Sequence, residues 1–566
     1  MQRAIRHCGQ HLKAAAMFSA LTNLLFIAPT LYMLQVYERV VPTGSLATLA
    51  GLSAVLLFAL ASLALLDRLR ARLLQRAGLA LDEAVARAVL ETSLTHPVEA
   101  EARQAMRNLD NARNALAGAP MVALFDAPWM PIYIVVCTAL HPLIGVLALV
   151  AAAVLAAIAL LNERTAAPAI ARARAAAAQS ALSHEALIGS SEAIRALGMG
   201  ERLVEQARTE RLHVLDGQFR CGLRGLDHSS ATKFARMAFQ SLALGLGALL
   251  AIDKAISPGA IFAASFLIAR ALSPVEQLVS HWKPLAEGWQ AWSEVHRLLD
   301  ARARARPKTG LPRPQGHLAL QGAIVMPPGA TQAALKSLSL SLSAGRITAV
   351  IGPSGSGKST LLRVLTGALP LERGVARLDG ADLADWDSDD LARHIGYVPQ
   401  SPSLLAGTVA QNIARFTQPP QGPGGKSDHD AMIVAAARAC GAHEMILALD
   451  NGYEHRLGSG GSGLSAGQAQ KVALARALFG DPALLLLDEP NAHLDSEGDA
   501  RLGETLARLR EAGRTIVIVS HKTTIFPLVD RLVALREGQL VASGPRDEVL
   551  AHLRRDAPPT SGVETA

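Results

Sequence analysis

Apolar residues fill the first half of the chain in runs too long for a soluble core, and return in the second half only as short bursts. AAAMFSALTNLLFIAPTLYML (14–34) and SLATLAGLSAVLLFALASLALL (45–66) each supply the roughly 20 apolar residues of one helical bilayer crossing. A second pair, 119–140 and 143–161, flanks the break His141-Pro142. A third, 234–252 and 258–275, is interrupted by Arg270, so a soluble amphipathic hairpin is its alternative reading. Six spans are expected within residues 1–300. The stretches 67–118 and 162–233, rich in Ala, Leu and Arg, predict long helices that continue the spans beyond the bilayer. From 317 to 553, RITAVIG, ALLLLD and TIVIVS alternate with helical stretches, the pattern of buried parallel strands in an α/β domain. ARARARPKTGLPRPQG (301–316), basic and rich in Pro and Gly, reads as a linker between the halves. Residues 554–566 predict a loose tail, and TQPPQGPGGKSD (417–428) a mobile loop.

Composition agrees with a chain that lives partly in lipid. Half of the 566 residues are hydrophobic and 18% are charged, against about 25% in an average soluble domain; mean hydropathy is +0.25. The net charge of +7 is spread among acids and does not form a nucleic-acid-binding stripe. Its distribution gives orientation instead. MQRAIRHCGQHLK, DRLRARLLQR and NERTAAPAIARARA lie at one set of span ends, and the short, nearly neutral YERVVPTGS, HP and DKAIS at the other. Lys and Arg stay on the cytoplasmic side, which puts both termini inside. The first span is followed by YMLQVYERVVP in place of a small-residue cleavage site, so it reads as retained. Four scattered cysteines, with no CxxC pair, argue against a disulfide framework or a zinc site.

The candidate chemistry lies in the second half. ITAVIGPSGSGKSTLLRVL holds GxxxxGK[ST] over Gly352, Pro353, Ser354, Gly355, Ser356, Gly357, Lys358 and Ser359, with Thr360 next, between a predicted strand and a predicted helix. Such a loop wraps backbone N–H groups around phosphates at a helix's positive end. Lys358 would neutralise the β- and γ-phosphates of ATP, and the Ser359 hydroxyl would sit on Mg²⁺. ALLLLDEP adds a buried strand ending in Asp488, placed to hold the Mg²⁺ shell, and then Glu489, placed to orient and deprotonate the attacking water. GSGGSGLSAGQAQK (458–471) begins like a Gly/Ser spacer and ends in Leu464, Ser465, Ala466, Gly467 and Gln468, ahead of a predicted helix.

Gln400 in GYVPQ, LSAGQ at 464–468, DEP and His521 in TIVIVSH occur in the order found in ABC transporter ATPases, which the whole second half resembles. The resemblance implies an all-α six-helix transmembrane exporter domain followed by an α/β P-loop ABC ATPase domain. It also implies Gln400 on Mg²⁺ and water, His521 on the γ-phosphate, and LSAGQ as a clamp on ATP held by a second subunit. Some positions depart from the family pattern. Ala466 replaces a glycine, and its methyl disfavours positive φ. Ser459 stands where many exporters have an acid, His493 where Asn or Ala is usual, and Met326 where an aromatic stacks on adenine.

TLYMLQVYERVVPTGSLATL, ALFDAPWMPIYIVVCTALHPLIG, SEAIRALGMGERL and LLLLDEPNAHLDSEGD together resemble the type I secretion ATPases of Gram-negative bacteria, most of all the protease and lipase secretion branch. That implies a homodimer in the bacterial inner membrane. It would pass unfolded protein with a C-terminal signal to a periplasmic adaptor and an outer-membrane channel. Fewer than twenty residues precede the first span, so the N-terminal peptidase-like domain of related exporters is not expected. Alternatives left open are an exporter of lipids, drugs or peptides, and a membrane-anchored nucleotide switch that regulates a partner without transport.

Overall fold

The computed structural model describes residues 2–95, 100–303, 310–327, 330, 332–422, 424–520 and 522–555. It divides into two compact units, Met1–Ala305 and Arg306–Ala566.

The first unit is all α. Six of its helical segments are long and apolar enough to cross a membrane: Cys8–Thr43, Leu46–Leu94, Ala119–Leu140, Pro142–Gly189, Gly200–Ile252 and Pro258–Ser280. The 50-residue helix Leu46–Thr95 is about 75 Å long at 1.5 Å per residue, far more than a ~30 Å bilayer core. Its far end packs Leu81, Val85 and Val89 against Leu109 and Val295 in a cluster remote from the apolar window. Prolines set the irregularities. The first helix, Gln2–Leu25, stops four residues before Pro29, whose ring clashes with the carbonyl at that spacing, and resumes at Ala28. The third span is likewise divided by a 3₁₀ turn, Ala127–Trp129, four residues ahead of Pro131. Pro142 and Pro258 instead open helices, capped by His141 and Ser257. The 258–280 segment is one continuous helix despite Arg270 and the internal Pro274.

A polar cluster lies inside this unit. Asp126 accepts from Arg70 Nη1 at 2.9 Å, from Asn23 Nδ2 at 2.7 Å and from Ser19 Oγ. Tyr133 OH donates to the Asn23 carbonyl at 2.6 Å. Arg270 Nη2 donates to Asn23 Oδ1 at 3.3 Å, and its guanidinium lies over the Phe26 ring, next to the proline-made break.

The second unit is α/β. Its strands are β1 (Leu318–Val325), β2 (Leu335–Leu342), β3 (Ile347–Ile351), β4 (Arg373–Leu378), β5 (Ala381–Asp382), β6 (Ile395–Val398), β7 (Gly407–Thr408), β8 (Arg456–Leu457), β9 (Leu484–Asp488), β10 (Thr515–Val519), β11 (Arg531–Arg536) and β12 (Gln539–Pro545). The main sheet has the order β12-β11-β3-β10-β9-β6; β11, β3, β10, β9 and β6 are parallel, and β12 is an antiparallel edge. A second sheet, β2-β1-β4-β5, is antiparallel. Residues alternate across the main sheet. Leu485, Leu487, Ile516 and Ile518 enter one core, with Val472–Ala477 of the helix Ala466–Leu478. Leu484, Leu486, Val517 and Val519 enter the other, with Leu361 and Leu365 of the helix Lys358–Leu365. Both faces being covered explains why these strands read as unbroken apolar runs. Part of the 417–428 segment is ordered as the start of the helix Gly425–Ala439.

Candidate nucleotide site

Four neighbouring parallel strands deliver the candidate residues at one edge of the main sheet, their carboxyl ends, where open α/β sheets bind ligands. β3 runs into Gly352–Gly357, β9 ends in Asp488, β6 ends two residues before Gln400, and β10 ends two residues before His521, which lies outside the described residues.

The loop after β3 turns directly into the helix Lys358–Leu365. Gly357 caps that helix at φ +95°, and a Cβ there would fall 2.7 Å from the Ala334 carbonyl, so the turn requires glycine. Lys358 is buried, and its Nζ donates to the Gly352 and Pro353 carbonyls at 2.9 Å each. This folds the ammonium over the loop's own backbone. Ser359 and Thr360 fill the first helical turn, and the Ser356 Oγ is buried without a hydrogen-bond partner.

Asp488 is 2% exposed. Burial pushes its carboxyl above the usual range; the Ser359 hydroxyl opposes this by hydrogen bonding, Glu489 adds to it, and Arg363 and Lys358 oppose it. Its Oδ1 has no hydrogen-bond partner. Glu489 sits at φ +51°, a left-handed conformation that is uncommon outside glycine, and its N–H donates to the Val519 carbonyl at 2.9 Å. The turn takes its side chain out of the alternation of β9. Lys358, Ser359, Asp488 and Glu489 thus act on one another electrostatically at one place. A carboxylate oxygen without a donor beside a hydroxyl oxygen is a fitting ligand set for a hard cation such as Mg²⁺.

Ser465 caps the helix Ala466–Leu478 in a capping box: its Oγ accepts from the Gln468 N–H at 3.3 Å, and Gln468 Oε1 accepts from the Ser465 N–H at 2.9 Å. The Gly/Ser-rich stretch before it forms a short 3₁₀ turn, Ser459–Gly461, leading into that cap. Ala466 is the first helical residue and has no positive φ, so its methyl causes no backbone strain. Gly467 is the constrained position, because a Cβ there would lie 2.9 Å from the His493 carbonyl. Leu464 packs on the core, whereas Ser465 and Ala466 are exposed. Gln400 is exposed, as is Met326 after β1. No hydrogen bond joins 464–468 to the phosphate loop among the described residues.

Sequence reasoning missed the support behind this edge. Gln470, fully buried, donates from Nε2 to the Pro490 carbonyl at 3.0 Å, tying the helix Ala466–Leu478 to the turn after Glu489. Asn491 accepts from Ser520 Oγ at 3.3 Å, joining that turn to the end of β10. The only sequence signal was two amide side chains next to recognised motifs.

A profile of the ABC transporter family matches residues 335–492. The type I secretion system ATP-binding protein PrsD of Rhizobium meliloti is 38% identical over 98% of this chain and 94% of its own length. The chain belongs to the type I secretion ABC transporters. The transporter is also similar to two proteins of which it spans about half or less. The cyclolysin secretion/processing ATP-binding protein CyaB of Bordetella pertussis is 33% identical over 54% of this chain and 42% of its own. The toxin RTX-I translocation ATP-binding protein of Actinobacillus pleuropneumoniae is 29% identical over 63% and 50%. In fold, the transporter is similar to an ATP-bound bacterial Atm1-family ABC exporter, with a TM-score of 0.80 at 19% identity over 97% of this chain and 99% of the other. It is a multi-pass membrane protein that binds nucleotide and couples ATP hydrolysis to transport.

Proposed function

We propose that the transporter moves unfolded protein with a C-terminal signal out of the cytoplasm. It does so as a homodimer in the bacterial inner membrane, with both termini cytoplasmic, and hands cargo to an adaptor and an outer-membrane channel. Residues 1–300 form the translocating half, 301–316 the linker and 317–553 the ATPase. What supports the secretion reading is the similarity to PrsD along nearly the whole of both chains. The observation that carries the ATPase chemistry is the buried, unpartnered Asp488 oxygen beside Ser359 and Glu489.

In this reading the N–H groups of 352–360 and the Lys358 ammonium hold the β- and γ-phosphates. Ser359, Asp488 and Gln400 would hold Mg²⁺, which supplies neutralisation of phosphate charge when bound. Glu489 accepts a proton from the water whose oxygen bonds to the γ-phosphorus, while the bond to the β–γ bridging oxygen breaks and leaves on ADP. His521 steadies the γ-phosphate. Ser465 and the N–H groups of Ala466, Gly467 and Gln468 close on it from the second subunit. Two sites need two copies of the chain, because each copy carries one phosphate loop and one signature.

The test uses the purified dimer and a peptide from the C-terminus of the cognate cargo. The peptide changes ATP turnover and its scrambled form does not, while deleting the adaptor gene stops secretion and leaves purified ATPase activity intact. Turnover that answers to lipid and not to peptide, or export without an adaptor, replaces this reading with a small-amphiphile exporter.

A further inference from the structure

Two arginines with no part in the phosphate chemistry lie at the far end of the helix Ala466–Leu478. Arg415 follows the short helix Val409–Ile413, and both it and Phe416 are left-handed, at φ +54° and +55°. Such conformations persist where the surroundings over-determine them. Here the surroundings are four backbone carbonyls. Arg415 Nε donates to the Arg476 carbonyl at 3.0 Å and Nη2 to that of Ala477 at 3.1 Å. Its Nη1 donates to the Ile395 carbonyl at 3.1 Å and to that of Ala392.

These carbonyls belong to the ends of two helices, Ala466–Leu478 and Ser388–His394, the second of which runs directly into β6. Carbonyls in a last turn lack intrahelical partners, and the helix dipole favours a cation there. One guanidinium therefore fixes the spacing of the two helix ends. Arg476, in the last turn of the signature helix, donates from Nη1 to the Ser403 carbonyl at 2.7 Å, three residues past Gln400. Asn412 holds the same loop, exchanging bonds of 2.9 Å with the N–H and the carbonyl of Leu405. Burial lowers the pKa of both guanidinium groups; Arg415, with Arg476 beside it, falls to about 10, so it stays charged at neutral pH. Neither has a carboxylate partner among the described residues.

We propose that Arg476, steadied by Arg415, is a positioning residue that ties the Gln400 loop to the C-terminal end of the signature helix, so that Gln400, at its own copy's nucleotide, moves as one body with the signature that closes on the second copy's nucleotide. The 13-residue helix is a stiff rod of about 20 Å with Ser465 at one end and the Ser403 attachment at the other. A displacement of the signature is thereby delivered to Gln400. This rests on the reading of Gln400 and the signature given above.

The test measures steady-state kcat and KM for ATP of full-length protein in lipid nanodiscs, for Arg476→Gln, Gln400→Ala and the double variant. Gln keeps helix propensity and removes the charge. Each single variant lowers kcat about tenfold with KM for ATP within about twofold, since the phosphate loop is untouched. The double variant stays within about twofold of Gln400→Ala, because Arg476 acts through that loop. Full kcat in Gln400→Ala overturns the role of Gln400 itself. With Gln400→Ala impaired, either full kcat in Arg476→Gln or a second tenfold loss in the double variant overturns the tie alone. If Arg476→Gln does not fold, Arg476→Lys carries the same comparison, with a smaller loss that disappears in the Gln400→Ala background; a loss of equal size in both backgrounds, or none in either, overturns the tie.

Discussion

Asp126 in the membrane unit and Asp488 in the nucleotide unit are 4% and 2% exposed, yet they are held in opposite ways. Ser19, Asn23 and Arg70 all donate to Asp126. Asp488 keeps one oxygen, Oδ1, without a hydrogen-bond partner, and the buried Ser356 Oγ, Gln470 Oε1 and Asn491 Nδ2 likewise have none. Native interiors rarely leave such atoms unpaired, and each exception asks for a reason. For the first aspartate the reason for burial is internal, since it neutralises Arg70 between helices. For the second, in the proposed reading, it is external, the cation and nucleotide that this site would hold. A satisfied buried charge reads as architecture, an unsatisfied one as a binding site.

The comparison breaks most sharply at Glu489. Glu489→Gln keeps ATP binding and lowers turnover by roughly a hundredfold or more, the usual scale for a general base; near-wild-type phosphate release would take Glu489 out of that role. Gly467→Asp is expected to be nearly as severe, because the side chain collides with the His493 carbonyl and sets a negative charge near phosphate. Full activity in that variant would return the 458–468 stretch to a mere spacer.

Next come the two aspartates themselves. Asp126→Leu leaves the Arg70 guanidinium, whose side chain is 8% exposed, with the more exposed Asp67 at 2.8 Å as its ion partner, and should cost about 1–3 kcal/mol of stability. It would be seen as a lowered Tm in detergent, and Arg70→Leu added to it should recover part of the loss. Asp488→Asn should leave Tm unchanged or raised while abolishing Mg²⁺-dependent hydrolysis. Equal Tm losses in the two would erase the distinction between architecture and site.

Arg270 falls between the two classes. It reaches Asn23 and Phe26, yet its Nε is buried without a partner. An intramembrane cation is functional by default, so Arg270→Ala should reduce transport several-fold more than basal ATPase. Loss of expression and of both activities together would assign it to the Asp126 class. The smallest effect is expected of Ala466→Gly, within about twofold of wild type in turnover, since Ala466 already has helical geometry.

Much of this was legible in order along the chain. The apolar runs gave the six spans, and unbroken ALLLL and TIVIV gave strands covered on both faces. Lys358, Ser359, Asp488 and Glu489 could be picked out because each belongs to a short segment whose local geometry suits phosphate or metal. Ala466 has no positive φ for its methyl to strain: a sequence shows that a glycine is missing but not the φ of the position, and the steric constraint falls one residue later at Gly467. The breaks at Phe26–Ile27 and Ala127–Trp129 lie within runs that hydropathy reads as continuous, because proline acts on a hydrogen bond, not on polarity.

The sequence by itself determined the periodicity of each element, the division into a lipid-soluble and an α/β half, and the motifs whose members lie within a few residues of one another. Only the tertiary structure decided which distant groups share a buried space. Arg70 meets Asp126 across 56 positions, and Arg415 meets Ala477 across 62. Nothing local selects those partners: each is fixed by helices and strands packing at set distances, and by the cost of leaving a buried charge or carbonyl without one.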